Sequence, residues 1–205
     1  AMVYDWGKQD KIFSRALTIP SVIQVFEKAN EMGEHIQTYD SFDVLVEERG
    51  DDEAVRRYCK MVSMTHRVIG DVHTDLAEDP VKCLVINYEK KEGLERMQTW
   101  IRENMPEMDC FFSCPQFLEV VPKGMNKGEA VKMLCQKLGV SIENAVACGD
   151  AANDLAMLNA AGIGVAMQNG SNEVKAVADY ITTRDNNHDG VAEAADKFFY
   201  EAAED

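Results

Sequence analysis

Between Lys11 and Pro122 the pattern of apolar and polar positions changes period every few residues. The runs "KIFSRALTI" and "HIQTYDSFDVLVEE" alternate with period two, the mark of half-exposed strands and a hairpin, whereas "KCLVINY" and "FLEVVP" are short, nearly continuous apolar runs that predict buried strands. Helical segments separate them. "SVIQVFEKANEMG" places Val22, Ile23, Phe26, Ala29 and Met32 at helical spacing and stops at Gly33, a typical C-cap residue, and "LERMQTWIREN" repeats the pattern with Leu94, Met97 and Ile101. This half predicts an antiparallel sheet with helices on one face, an α+β layer. Beyond Pro122 the rhythm becomes short strand, loop and helix in repetition. "AVKMLCQKLG" predicts a helix, "AVAC" a strand, "NDLAMLNAAG" a helix, "IGVAM" a strand, "NEVKAVA" a helix, "YIT" a strand and "GVAEAADKFFYEA" a last helix. Such alternation implies parallel strands joined by crossovers, part of a doubly wound sheet, and such sheets bind ligands at the carboxyl ends of their strands. Asp150 stands just past that end of "AVAC".

Composition narrows the partners. With 205 residues, 46% of them apolar, the chain can bury a core of one large or two modest domains. A formal charge of -15 argues against a nucleic-acid backbone or an anionic membrane surface, both of which attract basic patches. Any phosphate must therefore be held locally, by placed lysines, amides or a metal. No apolar stretch approaches the roughly 20 residues of a membrane span, and the N-terminus lacks the basic and apolar regions of a signal peptide, so a cytoplasmic protein is expected. The six cysteines, Cys59, Cys83, Cys110, Cys114, Cys135 and Cys148, are scattered and several lie in apolar runs, which suits reduced core thiols. Cys110 and Cys114 with His35, His66, His73 and His188 fit no zinc-ligand spacing well.

The stretch "CGDAANDLAML" carries the candidate chemistry. Two carboxylates four residues apart, Asp150 and Asp154, are either solvated, engaged in capping, or partners of one cation. Gly149 lets another group approach closely, and Asn153 is a good N-cap for a helix that begins at Asp154, so simple capping explains much of the run. Upstream, Asn126 and Glu129 form a capping-box pattern that puts Lys127 in a first helical turn, where the helix dipole disfavours a cation. Either the lysine is solvated or something negative lies beside it, a carboxylate or a bound phosphate. "GVAMQNGSNEVK", with Asn169 after a strand, leaves backbone amides free to approach a ligand, or is only a turn.

Taken together, "FLEVVPKGMNKGEAVKML" and "AVACGDAANDLAMLNAAGIGVAMQNGSNEVKAVADYITTRDNNHDGVAEAADKFF" closely resemble the C-terminal half of the haloacid dehalogenase superfamily of phosphatases, in particular its Cof-type members with a large α/β cap. The resemblance runs over residues 117–199 almost without gaps. It is looser upstream, where "MVYDWGKQDKIFSRAL" is similar to the core hairpin that leads into the cap. It implies an α/β fold in three parts: residues 1–20 a piece of the core hairpin, 21–121 an α+β cap, and 122–205 the C-terminal half of a Rossmann-like core. It also implies magnesium-dependent hydrolysis of the phosphate monoesters of small metabolites through an aspartyl-phosphate. By the same resemblance Lys127 neutralises the nucleophile and the transferring phosphoryl group, Asp150 is a magnesium ligand, Asp154 orients the metal's water shell or the lysine, and Asn153 and Asn169 help hold the phosphate.

The chain also departs from that family. Its members open with a D-x-D-x-T strand bearing the nucleophile and general acid, and here only "YDSFDVL" and "GDVHTDL" come near it, with the wrong spacing. The expectation is that an N-terminal segment is missing and that "AVAC" is left as an unpaired apolar edge. Three classes of protein follow: the larger piece of a phosphatase, inactive alone; a non-catalytic protein that binds a metal or phosphorylated ligand; or a subunit completed by another chain or by dimerisation. In the cap, "TYDSFDVLVE" is similar to the hairpin that overhangs the active site, so Tyr39, Asp40 and Asp43 either face the leaving group or form a solvated strand turn. Trp100, Met133 and Met157 lie at core spacings, and the runs "EERGDDE" and "EAAED" read as solvated faces or tails.

Overall fold

The structure is a computed structural model, described over residues 2–5, 7–8, 10–40 and 42–200. The acidic run "EAAED" lies outside the described residues. The chain divides into two compact units, one of Ser14–Met125 with Ala1–Met2, the other of Val3–Phe13 with Asn126–Asp205. Strands β1 (Met2–Asp5) and β2 (Asp10–Ser14) pair with each other in a two-stranded sheet.

The first unit begins with α1 (Ile19–Met32). The Thr18 side chain caps it by accepting from the Ser21 amide, Pro20 sits in the first turn where no amide is needed, and Gly33, at φ 72°, ends it by turning its N–H back to Ala29 and Asn30. There follow β3 (His35–Tyr39), β4 (Val44–Glu47), α2 (Glu53–Val62), β5 (His66–Ile69), α3 (Val72–Asp75), β6 (Cys83–Ile86), α4 (Lys91–Asn104), β7 (Met108–Cys114) and β8 (Phe117–Pro122). The six strands form one sheet in the order β5-β4-β3-β6-β8-β7.

Two expectations for this half are corrected. The sheet is mixed, because β4 and β5 pair in parallel while the other neighbours are antiparallel. A parallel pair needs a crossover, and α2 supplies it. Its start lies inside the acidic run "EERGDDE", where the Asp52 side chain accepts from the amides of Ala54 and Val55, so part of that run is a helix cap. Nor do the helices keep to one face. Alternate strand residues Ile36, Leu45, Cys83, Val85, Leu118 and Val120 pack with Phe26 of α1 and Leu94, Met97 and Ile101 of α4. Their neighbours Tyr39, Val44, Val46, Leu84, Ile86 and Phe117 pack with Val55, Tyr58 and Cys59 of α2. Period-two alternation makes these two groups opposite faces of one sheet.

The second unit continues with α5 (Lys127–Leu138), β9 (Val146–Gly149), α6 (Leu155–Ala160), β10 (Ile163–Ala166), α7 (Asn172–Val177), β11 (Tyr180–Ile181) and α8 (Gly190–Ala195), which runs on as a π-helical turn over Asp196–Tyr200. Its three strands are parallel in the order β11-β10-β9, with β9 the last strand of the sheet among the described residues. Leu158 and Val174 pack on Ala166 from one side, and Ala194 packs with Val165 and Met167 on the other, as a doubly wound sheet requires. Of the residues at core spacings, Trp100 packs against the first unit's larger core and Met157 beside Leu158, while Met133 is half-buried. All six cysteines are free. Among the described residues no helix is long and apolar enough to cross a membrane.

Candidate active site

Strand β9 ends at Gly149, and the site begins there because that residue has no side chain. A Cβ on Gly149 would lie 2.4 Å from the Cβ of Asp154, so only glycine lets Asp154 fold back beneath the strand end. Asp154 is 5% exposed. Its Oδ2 accepts the backbone N–H groups of Asp150 (3.0 Å) and Ala151 (3.2 Å), closing the loop on itself, and its Oδ1 holds the Nζ of Lys127. Burial alone would raise the Asp154 carboxyl, but the Lys127 ammonium and the two amides hold it below the usual carboxylate range.

Lys127 reaches this point because α5 and α6 nearly touch: a Cβ on Gly128 would lie 2.3 Å from the backbone oxygen of Ala156. Asn126 caps α5, its Oδ1 accepting from the Glu129 amide at 3.0 Å. The other half of the expected capping box is replaced, since the Glu129 carboxylate turns to Lys132 at 2.8 Å. The cation placed against the helix dipole thus has its negative partner, the carboxylate of Asp154.

Asp150 is half-exposed at the head of the loop. Its carbonyl accepts from the Ser171 amide at 2.9 Å, tying the β9 loop to the turn after β10. Its carboxylate Oδ2 accepts from Asn186 Nδ2 at 2.7 Å. Asn169 joins the group through the same residue: Asn169 Nδ2 donates to Asn186 Oδ1 at 2.9 Å and Asn186 N–H donates to Asn169 Oδ1 at 3.1 Å. Asn186 escaped the sequence reading. Its signal was the run "RDNNHDG" of turn-forming residues between β11 and α8, whose conformation is fixed by Glu193, which accepts from the amides of Thr183 and Arg184, and by Asp185, which accepts from the Asn187 amide.

Asn153 is placed differently from the expectation. It sits half-exposed inside a 3₁₀ turn, Ala152–Asp154, ahead of α6, and Asp154 rather than Asn153 bonds the backbone there. The structure therefore brings together Lys127, Asp150, Asp154, Asn169 and Asn186, and leaves Asn153 at the margin.

Magnesium takes oxygen ligands, keeps several waters and uses one or two carboxylates together with phosphate oxygens. Asp150 fits such an ion, because its Oδ1 accepts no hydrogen bond from the described residues. Asp154 has both oxygens engaged and fits the lysine-holding one of its two expected roles.

The three candidates of the first unit serve a turn and a core. Tyr39 is 6% exposed in the α2-side core, its hydroxyl accepting from Gln37 at 2.7 Å. Asp40 accepts from the amides of Phe42 and Asp43, pairs with Arg67 at 2.8 Å, and is held below the usual carboxylate range by those contacts against the opposing effect of burial. Asp43 accepts from the Thr65 hydroxyl. Tyr39, Asp40, Phe42 and Arg67 help line a cavity of about 390 Å³ within this unit.

Known proteins agree with this arrangement. A family model described as haloacid dehalogenase-like hydrolase matches residues 1–194. The chain is similar to the crystal structure of a haloacid dehalogenase-like hydrolase from Bacteroides thetaiotaomicron, with a TM-score of 0.85 and 32% identity over 97% of this chain and 73% of that one. Over 94 residues, 46% of this chain and 37% of the relative, it is 46% identical to the 5-amino-6-(5-phospho-D-ribitylamino)uracil phosphatase YcsE of Bacillus subtilis. It is 29% identical over 197 residues to YxeH of the same organism, covering 95% of this chain and 71% of the relative. The first curated relatives are matched over only 14% to 42% of their own lengths. With the doubly wound strands, the lysine-held aspartate and the family match over residues 1–194 all in agreement, the chain belongs to the haloacid dehalogenase-like hydrolases.

Proposed function

We propose that the chain carries the phosphate- and metal-holding part of a magnesium-dependent phosphate-monoester hydrolase. The observation that carries this reading is the convergence of Lys127, Asp154 and Asp150 at the carboxyl end of β9. Phosphoryl transfer asks a protein mainly for positioning and charge neutralisation. The Lys127 side chain is 51% exposed while its ammonium rests on Asp154, so the same group is available to phosphoryl oxygens. Asp150 would hold the magnesium, which when bound supplies further positive charge to the phosphate. Asn169 is placed to orient it, through Asn186. Residues 21–121 would form the cap that selects the leaving group, and the substrates would be small phosphorylated metabolites such as sugar phosphates. In this reading an aspartate belonging to a D-x-D-x-T segment is the nucleophile that forms the aspartyl-phosphate, and the 205 residues contain no such run.

The test is phosphate release from a panel of sugar and nucleotide-like phosphates. A protein that joins these residues to a D-x-D-x-T segment should hydrolyse at least one of them with magnesium present. Lys127→Ala and Asp150→Asn should each lower the rate by about 100-fold or more, and these 205 residues alone should show no turnover above background. Hydrolysis indifferent to both substitutions would overturn the reading. Inactivity of the joined protein towards every ester, with tight binding of phosphate, would favour a non-catalytic binding protein.

A further inference from the structure

The Asp150 carboxylate is half engaged before any cation arrives. Its Oδ2 accepts from the Asn186 amide nitrogen at 2.7 Å, while Oδ1 accepts no hydrogen bond from the described residues. The direction of that contact is fixed by chemistry: an ionised carboxylate only accepts, so Asn186 must turn its NH₂ towards Asp150 and its carbonyl oxygen away. That oxygen accepts from Asn169 Nδ2 and from Asn187 Nδ2, each at 2.9 Å, and Asn169 in turn accepts the Asn186 backbone N–H. Every polar atom of the Asn186 side chain is thereby assigned, and the amide is held in one orientation although the residue is exposed.

The two common divalent cations use a carboxylate differently. Magnesium demands a small octahedral shell that a carboxylate enters through one oxygen, whereas calcium, with six to eight ligands, readily takes both oxygens of one carboxylate. We propose that Asn186 is a positioning residue that sets the cation preference of the site, occupying one oxygen of Asp150 and thereby favouring magnesium over calcium. The inference rests on the reading that Asp150 holds a metal ion. It assigns to the loop between β11 and α8 a task that its turn chemistry alone does not need.

The experiment is titration calorimetry of the 205-residue chain with magnesium and, separately, calcium. Asp150→Asn provides the background, because a chain of net charge -15 collects cations nonspecifically. The wild type should show Asp150-dependent binding that favours magnesium. In Asn186→Ala the magnesium affinity should fall by about 10-fold or more, the usual effect of losing a group that orients a metal ligand, while the calcium affinity stays within about threefold, because the second oxygen becomes free to bind. Asn169→Ala, which loosens Asn186 without touching Asp150, should move the preference the same way by less. If both affinities fall equally in Asn186→Ala, or the preference stays at its wild-type value, the inference is overturned while the metal reading stands. If the wild type shows no binding that depends on Asp150, the metal reading fails and this inference fails with it.

Discussion

The two units of the chain are held together by different means. In the first, twenty buried apolar residues form one cluster on one face of the sheet and nine more form another on the opposite face. In the second, the described residues give two clusters of three. At roughly 25 cal/mol per Å² of apolar surface removed from water, the first unit rests on packing. The second relies on fixed polar contacts: Asp154 on two amides and a lysine, Glu193 on the Thr183 and Arg184 amides, and Asn186 between Asp150 and Asn169. The candidate site lies wholly in the thinner unit. Polar groups that must meet a ligand cannot also be buried as core, so the site-bearing unit gives up apolar burial and falls at the low end of local stability.

The largest effect that could break this comparison is on the order in which the units open. In urea, backbone amides of β9 and β10 should exchange before those of β6 and β8. Phe26→Ala, which empties a fully buried position in the larger cluster, should cost the first unit about 3–5 kcal/mol and narrow or invert that order. A single transition with uniform protection in the wild type would show that apolar clustering does not divide the molecule.

Next in size is a change that improves one level of structure and harms another. In an exposed helix, replacing glycine by alanine gains about 1 kcal/mol. Gly128 lies in α5, yet its added methyl would meet the backbone oxygen of Ala156 at 2.3 Å, an atom that cannot move without α6. Gly128→Ala should therefore destabilise the second unit by about 1–3 kcal/mol, read as a lower urea midpoint for β9 and β10 with β6 and β8 unchanged. An increase in stability would mean that α5 and α6 are free to separate.

The same contrast governs what could be read from the sequence. The α/β class and most elements of the second unit were legible, because "AVAC" and "IGVAM" are short apolar runs set between capped helices, each signal lying within a few residues. The first unit hid α2, since "DDEAVRRYCKMV" has a strongly charged face and begins inside an acidic run that looks solvated. It also hid β5 and β7: "HRVI" is half polar, and "MDCFFSC" earns its place by pairing with β8 rather than by alternation. Within the site, Lys127, Asp150 and Asp154 were legible from a helix-dipole misfit and a glycine before an aspartate. Asn186 was not, because its role depends on a contact 36 residues away along the chain. Asn153 was misplaced because a 3₁₀ turn, which local sequence does not distinguish from a first helical turn, shifts the cap by one residue.

The smallest effect concerns charge alone. Asp154→Asn keeps the shape of the side chain and one acceptor oxygen but removes the charge beneath Lys127, and should cost the second unit about 1 kcal/mol near neutral pH. The sign of its pH dependence follows from the direction in which Asp154 is displaced. Its carboxyl lies below the ordinary carboxylate range in the folded chain, so its contribution is fully present above the unfolded value of about 4 and is lost as pH falls through the folded one. Urea midpoints of wild type and Asp154→Asn should therefore differ at neutral pH and converge on acidification below that range. If the difference persists at low pH, the clamp is made by shape and hydrogen bonding to the Asp150 and Ala151 amides, and the lysine is incidental to it. Convergence would place the ion pair itself among the contacts that hold the site-bearing unit together, where the other unit has its apolar core.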